Sequence, residues 1–209
     1  MLIENGILKA YDGDMKNVVI PEGVRVIGGV VEDGERWSRD GIKSDGVFYF
    51  PFNGCSKIKT LTMSNSVIEI GEKAFQGCNN LESVQFSKNL QVIRLSAFLG
   101  CEKLKSLTLP ASLVRIDTWA FANEIDEITY EGTLWQLENT DTRGAFKNIK
   151  KIICKDCTIN IDKKKTFYIE EVAYDGTMAE LQQNYKDNWI LKRTHIIHCK
   201  DGSINFGEQ

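Results

Sequence analysis

Residues Ile58–Asn80 read IKTLTMSNSVIEIGEKAFQGCNN. The two stretches that follow, LESVQFSKNLQVIRLSAFLGCEK from Leu81 and LKSLTLPASLVRIDTWAFANEID from Leu104, repeat that pattern position for position with a period of 23. Phe75, Phe98 and Phe121 keep this spacing, as do Cys55, Cys78 and Cys101. A fixed period of about 20 to 50 residues marks a unit that cannot bury a core alone and must stack on its neighbours.

Inside the repeat lies an anchor, L-x-x-L-x-L, apolar at its first, fourth and sixth positions. Used as a ruler it finds eight starts, at 15, 58, 81, 104, 125, 149, 169 and 194. Alternation at the fourth to sixth positions predicts a short β-strand with one buried face. Equivalent strands of successive repeats are expected to lie parallel, about 4.8 Å apart, in one continuous sheet. A second apolar pair follows in the regular repeats (Val24/Ile27, Val67/Ile70, Leu90/Ile93, Leu113/Ile116). An Ala-Phe step comes next, and its Phe should fill the far side of each coil.

The extended pattern I-P-x-x-V-x-x-I-G-x-x-A-F-x-x-C-x-x-L-x-x-L is carried near the start by Ile20-Pro21, Val24 and Ile27-Gly28. Ile70-Gly71, Ala74-Phe75 and Cys78 carry it further on. It resembles the BspA-like leucine-rich repeat of bacterial proteins over Met15–Gly28 and from Phe52 to about Asp126, although only Pro21 and Pro110 keep the proline. The resemblance implies an α/β solenoid, mostly β: a right-handed leucine-rich-repeat superhelix with a parallel sheet, about eight coils and short helices in the C-terminal coils. Such families include surface adhesins and many proteins of no assigned activity, so the implied function is a non-catalytic scaffold.

Three segments follow from the register. Residues 1–14 read as an N-terminal cap. Residues 15–126 are the regular repeats. Counting from Met15 the Phe is due at 32 but arrives at Phe52, so about 20 residues are inserted within 29–51. That insert holds Arg36-Trp37-Ser38-Arg39, a composition found at interface hot spots, and inserts of one repeat often lie on the binding side. Residues 127–209 are degenerate repeats forming a C-terminal cap. Tyr130-Glu131-Gly132-Thr133 returns as Tyr174-Asp175-Gly176-Thr177, and 152–160 returns as 197–205, so a two-coil unit is duplicated. Thr133-x-x-Gln136 and Thr177-x-x-Glu180 predict capping boxes that start helices. Met178, Leu181, Tyr185 and Trp189 fall near one face of the second.

A net charge of −3, with no Lys/Arg stripe, argues against nucleic acid and acidic membrane surfaces. No apolar run approaches the roughly 18 residues of a bilayer span. The N-terminus MLIENGILKAYDGD has no basic-then-apolar signal segment. The expectation is therefore cytoplasmic, with the cell surface as the alternative should a leader precede Met1. Cysteines in repeat register read as buried free thiols rather than disulfides.

Cys154-x-x-Cys157 with His195 and His198 offers four soft ligands at zinc-like spacing. The duplication places Cys154 opposite the buried Cys199 and Cys157 opposite the turn residue Gly202, which gives the two cysteines unrelated roles. No metal and no cofactor are expected. A nucleophile needs a base within reach, and neither histidine lies in a recognisable catalytic motif. No phosphate-binding glycine loop is present. The outward third and fifth anchor positions remain as the candidate site: Thr60, Thr62, Ser83, Gln85, Ser106 and Thr108, together with Arg36, Trp37 and Arg39 of the insert. The partner would be a protein or cell-surface ligand, glycans included, bound by a monomer or weak homodimer. Two rival readings are self-assembly through a C-terminal apolar face (Ile153, Ala173, Ile196) and a small zinc protein.

Overall fold

The computed structural model describes residues 1–31, 47–142, 144–161, 169–185 and 194–205. The chain opens with an antiparallel hairpin, β1 (Leu2–Glu4) and β2 (Ile7–Ala10). Asn5 and Gly6 turn it, at φ 51° and 77°. Asn-Gly tolerates the left-handed conformation that a two-residue hairpin demands. β3 (Asn17–Ile20) and β4 (Val26–Ile27) come next, then the antiparallel pair β5 (Gly29–Val31) and β6 (Val47–Tyr49).

Each regular repeat then contributes an anchor strand and a two-residue strand. These are β7 (Thr60–Met63) with β8 (Glu69–Ile70), β9 (Ser83–Gln85) with β10 (Val92–Ile93), and β11 (Ser106–Leu109) with β12 (Arg115–Ile116). The irregular part comprises β13 (Phe121–Tyr130), α1 (Leu134–Asn139), β14 (Phe146–Ile153), β15 (Cys157–Ile161), β16 (Ile169–Tyr174), α2 (Met178–Tyr185), β17 (Thr194–Cys199) and β18 (Gly202–Asn205).

The result is a mostly-β fold with parallel sheets and few helices. The anchor strands pair in the register the repeat dictates, Val18 beside Leu61 beside Val84, and Leu107 beside Ile128 beside Ile152. The two-residue strands form a second parallel row, Ile27–Ile70–Ile93–Ile116. On the third side the Phe rings stack face to face. Phe52, Phe75, Phe98, Phe121 and Phe146 follow one another at 4.9, 5.1, 5.1 and 5.4 Å between centroids, with ring planes 4° to 8° apart. Tyr11 tilts onto Phe52 and closes the stack at 5.2 Å. Such pairs add about 0.5–1.5 kcal/mol each beyond the area they bury.

The residue two before each of the last four rings has a left-handed backbone: Lys73, Ser96, Trp119 and Gly144, at φ 53°, 55°, 59° and 69°. This turn lets the Phe amides of 75, 98 and 121 donate to Ala97, Ala120 and Ala145 carbonyls of the next repeat at 2.8–2.9 Å. Ala74, Ala97, Ala120 and Ala145 are fully buried, so a larger side chain there would have no room.

Two expectations need correction. The anchor strands do not form one continuous sheet: β3-β7-β9 make one, and β11 begins a separate seven-stranded sheet. At the break, Phe86 occupies the sixth position where neighbouring repeats carry Met63 and Leu109. Its larger ring packs edge-on to Phe98 and Phe121 and ends β9 at Gln85. Nor are the C-terminal strands all parallel, because β15 runs antiparallel between β14 and β16, and β18 is antiparallel to β17. The stretches at Lys155-Asp156 and Lys200-Asp201 are two-residue hairpin turns.

Each turn is locked to a helix. Lys155 N–H donates to Gly132 O at 2.9 Å, and Leu134 N–H donates to Asp156 Oδ1 at 2.8 Å. The second copy repeats both bonds, Lys200 to Gly176 and Met178 to Asp201, at 2.9 and 2.8 Å. The predicted capping boxes are present at Thr133/Gln136 and Thr177/Glu180. Leu181 is buried beneath α2, while Trp189 lies outside the described residues.

Candidate interaction surface

The outward row begins at Asn17, whose Oδ1 accepts from Thr60 Oγ1 at 3.0 Å. Thr60 aligns with Ser83, and Thr62 with Gln85, on the three-stranded sheet. Ser106 and Thr108 face outward on the seven-stranded sheet, beside Glu127 and Thr129. Ser83, Gln85, Ser106 and Thr108 are exposed, and Thr60 and Thr62 half-exposed. The candidate residues thus form two ladders rather than one. Toward the C-terminus charge enters, with Lys151 reaching Glu127 at 3.2 Å. The expected apolar C-terminal face is partly covered, since Ile153 and Ile196 are half-buried, paired across the strands with Thr158 and Asn205.

The insert leaves the repeats at Gly28-Gly29 (φ 63° and 91°) and returns as β6. Gly71 of the next repeat lies so close that a Cβ there would meet the Gly28 carbonyl group at 2.5 Å. Only glycine permits that approach. The buried Lys9 ammonium sits 4.7 Å from the Tyr49 ring and pairs with Glu4 at 2.5 Å, tying the hairpin stem to the N-terminal strands. Arg36, Trp37 and Arg39 lie outside the described residues.

Two exposed aromatics escaped the sequence reading. Trp119 is 60% exposed at a left-handed position, and Trp135 is 57% exposed on α1. Trp119 interrupts a row otherwise filled by Lys, Ser and Gly, a signal visible in the aligned repeats. On the flank of the short strands, Arg94 holds both carboxylate oxygens of Glu69 at 2.7 and 3.1 Å and lies 4.0 Å from Asp117. Burial works to lower the Arg94 pKa, but these two carboxylates leave it above the ordinary value.

Of the cysteine ladder, Cys78 and Cys101 lie in the core, while Cys55 at its end is half-buried against it. Cys78 and Cys101 donate to the Phe52 and Phe75 carbonyls at 3.2 and 3.3 Å. Burial pushes the Cys78 thiol up to about 12 and raises that of Cys101 as well. The turn position assigned to Cys157 is corrected. It opens β15, is buried, and its thiol is raised above its usual range chiefly by a hydrogen bond with Cys154 and then by burial. The zinc reading fails on geometry. Cys154 occupies the inward sixth position and is buried, whereas His198 occupies the outward fifth position on a different hairpin.

His198 instead joins two groups that the sequence did not connect to it. Its Nε2 lies 2.9 Å from Glu171 Oε1, and its Nδ1 lies 2.8 Å from Ser203 Oγ. The imidazole and carboxylate are both about two-fifths exposed (45% and 39%), so water competes for every group in the chain.

Stacked parallel rows, a phenylalanine spine and sparse helices define a leucine-rich-repeat fold. A model of the family described as BspA type leucine rich repeat region matches residues 47–171 in six copies. The chain belongs to this family. Among solved structures it is similar to a leucine-rich repeat protein from Bacteroides capillosus, at 30% identity over 60% of this chain and 86% of that one, with TM-score 0.43. It is also similar to a leucine rich cell surface protein from Faecalibacterium prausnitzii, at 23% identity over 71% of this chain and 35% of that one, with TM-score 0.48. A leucine rich repeat protein of T. pallidum matches at 20% identity, 71% and 77% coverage and TM-score 0.39. No curated protein matches the chain. Among the described residues no helix is long and apolar enough to cross a membrane.

Proposed function

We propose that the chain is a non-catalytic recognition scaffold whose repeats wind as a right-handed superhelix and present their anchor strands to a protein or glycan partner. The observation that carries this is the outward face of two ladders, Thr60, Thr62, Ser83 and Gln85 on the first and Ser106 and Thr108 on the second, with uncharged polar side chains. These hydroxyl and amide groups project from paired strands, so no backbone ordering is required when they bind. The insert, with Arg36, Trp37 and Arg39, adds in its sequence an aromatic anchor of the kind that dominates interface energies.

The compartment is a separate matter. Cys78, Cys101 and Cys157 are buried and raised in pKa, so these thiols would persist at the cell surface as well as in the cytoplasm.

The face is tested with Thr62→Arg/Gln85→Arg/Thr108→Arg, each arginine projecting outward without entering the core. In-cell photo-crosslinking from position 83 should capture a discrete partner with the native chain and lose it in the triple variant, at an unchanged melting temperature. Trp37→Ala, assayed the same way, separates the insert from the face. If neither change alters capture, the recognition reading is wrong.

A further inference from the structure

The C-terminal part builds one interlock twice, and fills it once. In the first copy, β14 and β15 pair Lys151 with Asn160, Ile152 with Ile159, and Ile153 with Thr158. In the second, β17 and β18 pair Ile196 with Asn205, Ile197 with Ile204, and His198 with Ser203. Each of these positions lies 45 residues beyond its counterpart. The parallel partner strands correspond with an offset of 44: Ile128 lies beside Ile152, and Val172 beside Ile197. The helix locks through Asp156 and Asp201 are the same bond at the same length. β15 then uses its other edge. It accepts the anchor strand β16 antiparallel, with Thr158 opposite Ala173, Ile159 opposite Val172, and Asn160 opposite Glu171. Among the described residues no strand occupies the equivalent edge of β18.

Which backbone groups that edge offers is fixed by strand parity. Cys154 N–H donates to Cys157 O across the first turn at 2.7 Å, and Cys199 opposite Gly202 closes the second turn in the same register. Gly202 and Ile204 therefore direct their amides toward β17, and Ser203 and Asn205 direct theirs away. At the other end of the molecule, β3 is the first anchor strand and the outermost of its sheet. Thr60 and Ser64 amides donate to Lys16 O and Ile20 O, so the even-numbered residues of this segment face β7. Asn17 and Val19 turn their backbone groups to the open side, where the Asn17 amide meets the Asp14 carboxylate it would exchange for a strand partner, and the Val19 side chain is 57% exposed.

We propose that β18 of one copy pairs antiparallel with β3 of a second copy, head to tail, in the register that β15 uses on β16. Ser203 then lies opposite Val19, Ile204 opposite Val18, and Asn205 opposite Asn17. Every outward amide and carbonyl of Ser203, Asn205, Asn17 and Val19 falls at a hydrogen-bonded position of that ladder. The interface is heterologous: the edge that donates differs from the edge that receives, so assembly propagates rather than closing as a symmetric pair. It involves different atoms from the outward recognition face, so either idea stands if the other fails.

The test is analytical ultracentrifugation of the 209-residue chain alone, whose monomer mass is 23.7 kDa. The native chain should show a weight-average mass that climbs with concentration through dimer and beyond. Val19→Pro and Ser203→Pro each delete one outward amide and leave the inner ladder intact, as proline is tolerated on a strand edge whose N–H faces solvent. Each variant alone should stay monomeric with a native circular dichroism spectrum. An equimolar mixture of the two retains one good β18 and one good β3, and should form a dimer that grows no further. A native chain that is monomeric at all concentrations overturns the proposal. So does self-association that survives either proline variant alone, since a symmetric contact would then be responsible.

Discussion

Replacing Phe98 by alanine removes the central ring of the five-membered stack. Phe98 is fully buried and has a parallel neighbour at 5.1 Å on each side, as well as the Phe86 edge at 5.8 Å. Truncating a buried Phe costs about 3–5 kcal/mol in transfer and cavity terms. Losing two stacked partners places this site at the upper end, about 4–5 kcal/mol. Phe146 is half-buried at the end of the stack, beside Phe121 at 5.4 Å, so its alanine variant should lose about half as much. In a repeat array stability is carried by nearest-neighbour interfaces, so the Phe98 vacancy also weakens communication between the repeats on either side. Urea titration followed by far-UV circular dichroism should show a lower midpoint for both variants. For Phe98→Ala it should also show a shallower transition, as the two flanks begin to unfold separately. The reasoning is refuted if Phe98→Ala loses less than about 2 kcal/mol, or if the two positions prove equivalent.

Two further outcomes follow from the same geometry. Ser96 holds φ 55°, so Ser96→Gly should relieve left-handed strain and raise stability by about 0.5–1 kcal/mol, read as a higher melting temperature; a lower one contradicts the strain argument. The Cys78 thiol, whose ordinary value is 9.0, is held near 12 when folded, so the unfolded chain ionises first. The resulting stabilisation is complete below pH 9 and drains away as pH rises toward 12, and Cys78→Ala should flatten the alkaline branch of a melting-temperature profile.

The regular repeats were legible because one period controls every layer: Leu61, Val84 and Leu107 in the anchor rows, Ile70 and Ile93 in the short strands, Phe75 and Phe98 in the stack. The reading failed where a residue has to be judged against its spatial neighbours. Phe86 satisfies the apolar pattern, but its bulk divides the sheet. Cys157 and Gly202 align with each other, yet the inference that both mark turns missed that a hairpin begins a strand there. The Ala145-Phe146 step went unnoticed because the spacing has drifted to 25 by that point, although its ring continues the stack. The Asn5-Gly6 hairpin was present as a dipeptide signal and was overlooked in favour of an undifferentiated cap.

At the candidate site Thr60, Thr62, Ser83, Gln85, Ser106 and Thr108 follow from strand alternation, but their division between two ladders depends on a break no pattern announces. The His198, Glu171 and Ser203 chain depends on pairing across β16, β17 and β18, and sequence separation hides it.

The glycine contact at the root of the insert has a consequence for how this chain tolerates change. Gly28 and Gly29 let the backbone turn out against Gly71, and the β5–β6 stem pairs Gly29 with Tyr49, so departure and return lie side by side. Closing a loop across ends already held together scales only with the logarithm of its length, and doubling the segment adds about 0.6 kcal/mol. The stem therefore acts as a socket. Foreign sequence can be exchanged between Val31 and Val47 without re-registering a single repeat, whereas one methyl group on Gly71 would jam the socket from below.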